Sequence, residues 1–145
     1  MSKDENEINV LDELNKGACM GMDAINFILD KVENNDFRKE LNNQYNQYKK
    51  ISDRICELYP EYSKKHPHKT STINKVMTWY GIEMKTAMDD STSKIAELLI
   101  QGTNMGIIEG RKLLNHKQTD KEVHRLVQEY VEMQERDVEK LKKFL

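Results

Sequence analysis

Proline and cysteine are nearly missing from this chain, with two of each in 145 residues. So few cysteines exclude a disulfide framework, and two prolines with six glycines exclude collagen-like and mucin-like classes. No stretch approaches the roughly 20 apolar residues that cross a bilayer. The N-terminus, Met-Ser-Lys-Asp-Glu-Asn-Glu, has no apolar run behind a basic one, so no import leader is expected and the expected location is cytoplasmic, with no membrane partner. A dominant charge is lacking too. Against 25 Asp and Glu stand 23 Lys and Arg, a net charge of −2, which argues against a general nucleic-acid binder. Basic pairs such as Lys49-Lys50 and Lys142-Lys143 alternate with acids and read as solvated helix faces.

What is present is helical periodicity, with apolar residues at 37% and charged residues at 33%. From Ile8 to Val32 a heptad runs through Leu11, Ala18, Ile25 and Val32 at one position and Leu14, Gly21 and Ile28 at the other. That stripe marks a core-facing helix. Asn34-Asn35-Asp36 breaks it, and Phe37, Leu41, Tyr45, Tyr48, Ile51, Ile55, Leu58 and Tyr62 resume it on a second helix that should end near Pro60. So short a bend makes the two neighbours antiparallel. Residues 73–88 form a third amphipathic piece inside a polar crossover, the cap-rich run Asp89-Asp90-Ser91-Thr92-Ser93 opens a long helix to about Asn115, and a last helix follows Gln118-Thr119-Asp120. One domain is expected over 1–145, with a hairpin at 5–62, a crossover with a short helix at 63–89 and a hairpin at 90–145.

A shift of 85 residues lays Leu14 on Leu99, Gly17 on Gly102, Met20 on Met105, Gly21 on Gly106, Leu41 on Leu126 and Tyr45 on Tyr130. The two hairpins read as one duplicated unit. Gly21 and Gly106 stand at core heptad positions, where glycine costs about 1 kcal/mol relative to alanine. Heights counted from each bend put Gly21 level with Tyr48 and Gly106 level with Met133. Each glycine therefore makes room for a large side chain, lets the first and third long helices approach closely or, with Thr103, thins the core into an apolar ligand pocket. The same count separates Cys19 from Cys56 by roughly 9 Å of height, too far for a disulfide.

Two hairpins joined by a long crossover resemble the ferritin-like superfamily over nearly the whole chain. Met88-Asp-Asp-Ser-Thr-Ser-Lys-Ile-Ala-Glu97 and Gly102-Thr-Asn-Met-Gly-Ile107 also look like segments of small uncharacterised ferritin-like proteins of Gram-positive bacteria. The resemblance implies an all-α, antiparallel four-helix bundle. Di-iron members of the superfamily need a Glu-x-x-His on each of two helices. Here the residues three before His66, His68, His116 and His124 are Ser63, Lys65, Leu113 and Lys121, so the motif is absent. The inward heptad positions of the first and third long helices hold Leu, Ile, Val, Ala, Gly and Thr103, with Asp23 and Glu109 off them, and an interior without acidic ligands is expected. The fold is carried over and the metal ligands are not.

Other candidates are sparse. Asp89 and Asp90 suit a hard cation as well as a helix cap, while His66 and His68 offer two ligands where a tetrahedral site needs four. No nucleophile motif and no phosphate-cradling loop occurs, and no cofactor is implied. Met77, Trp79, Tyr80, Met84 and Met88 exceed what a connector requires and suggest a lid or a face for a second copy, since methionine adapts to irregular surfaces. The expected function is a non-catalytic binding or structural module that self-associates, with a dimer as the first choice. The alternatives are a metal-binding oxidase or storage protein with unusual ligands, and a carrier of a small apolar ligand.

Overall fold

The computed structural model describes residues 3–63 and 91–145. Four long helices account for most of them: α1 (Lys3–Leu29), α2 (Asn35–Leu58), α3 (Thr92–His116) and α4 (Lys121–Leu141). A short 3-10 turn extends α2 over Tyr59–Glu61 and another extends α4 over Lys142–Phe144. No strand occurs among the described residues. The expected crossover helix at 73–88 lies outside them.

Local chemistry explains the ends. Asn34 takes an extended backbone and its Oδ1 accepts from the Phe37 amide at 2.9 Å, satisfying a donor that the first turn of α2 cannot. Arg38 then reaches back and donates at 3.1 Å to the Leu29 carbonyl, which also accepts from the Val32 amide at the end of α1. Ser91 does for α3 what Asn34 does for α2, accepting from the Lys94 amide at 3.2 Å. Pro60 lacks the amide hydrogen that would continue α2, and the chain tightens into its 3-10 turn there.

All four helices contribute to one apolar cluster that includes Leu11, Leu14, Ile28, Phe37, Leu41, Ile55, Ile95, Leu98, Leu126 and Leu141. Each such side chain contributes about 1.5–3 kcal/mol when fully buried. Phe37 and Phe144 stack at one end with ring centroids 4.6 Å apart. Both cysteines remain thiols, as their difference in height requires. No helix among the described residues is long and apolar enough to cross a membrane.

The interior is not free of acids. Glu7 on α1 is 0% exposed and Asp137 on α4 is 1% exposed, which overturns the expectation of a core without carboxylates. Both lie in heptad register with core residues: Glu7 precedes Leu14, Gly21 and Ile28 at intervals of seven, and Asp137 follows Val123 and Tyr130 at the same interval. A pattern counted from Ile8 starts one residue too late to include Glu7. One Glu7 oxygen accepts from the Asp120 amide at 2.9 Å, tying the start of α1 to the bend before α4. Tyr62 donates to Asp120 Oδ2 at 2.9 Å and holds the end of α2 to the same point.

Candidate functional site

The chain contains six glycines, and five of them, Gly17, Gly21, Gly102, Gly106 and Gly110, line a single cavity between α1 and α3. Their spacing puts them there, because residues four apart share a helix face. Gly17 and Gly21 form a pair on α1, and Gly102, Gly106 and Gly110 form a row of three on α3. The cavity has a volume of about 520 Å³, within the range of about 300–1,000 Å³ usual for small-molecule sites. Leu14, Met20, Ile25, Leu99 and Leu113 supply apolar wall, and Glu13, Lys16 and Glu109 supply its charged lining.

Large side chains from α2 and α4 meet four of these glycines. A Cβ on Gly21 would lie 2.6 Å from the Tyr48 ring, and one on Gly110 would lie 2.6 Å from Val131 Cγ2. A Cβ on Gly17 would overlap the Tyr130 hydroxyl, and one on Gly106 would overlap the Gln134 carboxamide. Packing and cavity therefore coexist. Tyr48 and Tyr130 reach across the core to bare helix backbone, and the wall of the cavity is that same backbone.

The inner end of the cavity is polar but uncharged. Tyr48 and Tyr130 meet edge to face, with centroids 6.3 Å apart and planes at 62°. Gln134 Nε2 donates to both phenol oxygens, at 3.2 Å to Tyr48 and 3.3 Å to Tyr130. Gln134 Oε1 is buried with no hydrogen-bond partner. Thr103 Oγ1 donates to the Leu99 carbonyl at 2.7 Å and also interacts with the Tyr48 hydroxyl. Burial pushes the Tyr48 phenol up to about 12 and raises Tyr130 further, with the neighbouring Tyr48 adding to the effect. Both stay protonated at neutral pH. They serve as hydrogen-bonding groups rather than as bases.

No family model, curated protein or solved structure matches the chain. The site must be judged on its own chemistry. Among the described residues, no three His, Cys, Asp or Glu side chains are grouped to hold a metal ion. The metal candidates Asp89, Asp90, His66 and His68 lie outside the described residues, as do Met77, Trp79, Tyr80, Met84 and Met88.

The remaining candidates are described. Gly21 and Tyr48 are in contact and, with Thr103 and Gly106, line the cavity. Met133 is a correction: it is buried, but Gln134 is the residue against Gly106. Height counted from a bend fixes the level on a helix and leaves the rotation open, and one residue turns the side chain by about 100°. Gln134, Gln44 and Gly110 also line the cavity although heptad reasoning, which favours apolar residues, does not single them out. The available signal is the Gly-x-x-x-Gly-x-x-x-Gly row from 102 to 110.

A second polar group adjoins the cavity at Gln44, between α2 and α4. Gln44 Nε2 donates to Glu40 Oε2 at 2.9 Å and faces the Asp137 backbone carbonyl at 3.5 Å. Both Asp137 carboxylate oxygens are buried without a hydrogen-bond partner. Burial, and then repulsion from Glu40, raises its pKa to about 7, against the smaller opposing pull of Lys140 and Arg136.

Proposed function

We propose that this chain is a non-catalytic helical-bundle binding module whose cargo is a small, largely apolar molecule held between α1 and α3. The observation that carries the reading is the gathering of five of six glycines around one cavity. Five helical glycines cost roughly 5 kcal/mol of helix propensity, and their position makes room both for the two phenols and for the cavity. Against catalysis, the cavity's inner end offers two phenols held protonated, an amide and a hydroxyl. The test is 1-N-phenylnaphthylamine, a neutral fluorophore that brightens in apolar surroundings. It should bind saturably near one per chain, and Met20→Trp, which enlarges a half-buried wall residue, should weaken it. No saturable binding contradicts the reading.

For the architecture we propose the antiparallel, ferritin-like arrangement of two related hairpins. Support comes from contacts whose numbers fall on one helix as they rise on the next. Arg38 meets Leu29 and Ser52 meets Asn15; Gly110 meets Val131 and Gly106 meets Gln134. The paired Gly-x-x-x-Gly steps at 17 and 102 support duplication.

Self-association is the second reading, favoured by two exposed apolar side chains on α3. Met105 is 58% and Ile108 53% exposed, and Met105 also lines the cavity. A second copy seated there would cover them. Light scattering should give a dimer that Met105→Glu with Ile108→Glu returns to a monomer.

A further inference from the structure

We infer that the cavity selects a neutral molecule carrying a hydroxyl group at one end of an apolar body, and that Gln134 reads this hydroxyl. The inference rests on the apolar-cargo reading and adds the chemistry of the ligand's polar end.

Gln134 is 2% exposed, lines the cavity and lies against Gly106 on its glycine wall. Its Nε2 donates to Tyr48 and Tyr130, yet its Oε1 has no partner. A buried amide oxygen left unpaired costs about 1–3 kcal/mol, and a turn of the Gln134 side chain toward the cavity would let a ligand donor remove that cost. Each phenol oxygen already accepts from Gln134, and Tyr48 also meets Thr103, so the Tyr130 hydrogen is the one offered to an acceptor on the same ligand. A hydroxyl meets both demands with one atom, since it donates once and accepts twice. Turning the carboxamide over would exchange its donor and acceptor, and a hydroxyl would still fit.

An anionic head does not match this end. The side chains there are Tyr48, Tyr130, Gln134, Gln44 and Thr103, none of them cationic, so a carboxylate would lose its hydration without gaining a counter-charge. The charged group acting on Tyr48 is Asp137, which is acidic. The alkyl body would lie in the cavity that Gly102, Gly106 and Gly110 line, beside the Gln134 and Val131 side chains that meet Gly106 and Gly110.

The experiment measures displacement of 1-N-phenylnaphthylamine from the whole chain by 1-octanol, octyl methyl ether and octanoate at pH 7.5. The methyl ether is the decisive comparison, because it is more apolar than the alcohol and lacks only the donor. One satisfied buried acceptor should make 1-octanol bind about tenfold tighter than the ether. Gln134→Leu should erase this preference. If the fluorophore binds but alcohol and ether agree within twofold, or octanoate is tighter, the hydroxyl inference is overturned and the apolar-cargo reading survives. If the fluorophore does not bind, both fall. Should Gln134→Leu fail to fold, the ligand series on the unaltered protein still decides the question.

Discussion

Replacing Asp137 by asparagine should make the protein less sensitive to alkaline pH, by an amount that follows from the burial of this one carboxyl. Asp137 is 1% exposed, both its oxygens lack partners, and Glu40 faces it from α2 while Arg136 and Lys140 flank it on α4. Its folded pKa is raised from 3.8 to about 7. The folded chain therefore holds this proton more tightly than the unfolded chain does. The stabilisation is complete below pH 3.8 and is lost as pH rises toward 7. Between pH 5 and pH 8 about two pKa units of that window are crossed, worth roughly 3 kcal/mol at 1.36 kcal/mol per unit. For a chain of this size that is roughly 6–12 °C of melting temperature. The substituted carboxamide has nearly the shape of the neutral acid and does not ionise, so the difference between the two proteins removes the effect of most other titrating groups. Thermal unfolding followed by circular dichroism at pH 5 and pH 8 reads it. Asp137→Asn should gain on the parent by that amount as pH rises. Parallel pH profiles, or a parent that gains on the variant with rising pH, would refute the argument.

Three further outcomes are expected. Gly21→Ala should lower stability by about 1 kcal/mol net, because overpacking against the Tyr48 ring costs about 1–3 kcal/mol and better helix propensity returns about 1; urea unfolding measures it, and a stabilised variant would contradict close packing there. Ser91→Ala should cost about 1 kcal/mol through loss of the cap on the Lys94 amide, whereas Ser91→Asp should cost much less, both read by the same method. Tyr62→Phe removes the hydrogen bond to Asp120 and should destabilise by about 1 kcal/mol, with faster amide exchange at the bend before α4.

Helices and bends were the legible part of this fold because heptads and caps are local signals. Asn34 and Ser91 carry the oxygen that a first helical turn needs, and Pro60 lacks the hydrogen that a continuing turn needs. The buried acids were harder to see. Glu7 and Asp137 occupy apolar register positions, and a hydrophobic pattern passes over a carboxylate even where geometry forces it inward. The cavity was half legible. Gly21, Tyr48, Thr103 and Gly106 stand out from spacing and height, but Gln134 depends on helix rotation, which no count along a single chain supplies. Its unpartnered oxygen is a property of the packed assembly alone.

The most direct test is a structure of the protein determined with a long-chain alcohol present. The account requires ligand density between α1 and α3, its apolar body along Gly102, Gly106 and Gly110 and its hydroxyl within hydrogen-bonding distance of Gln134. Density elsewhere, or the two helices closed on each other with no room between them, would contradict it.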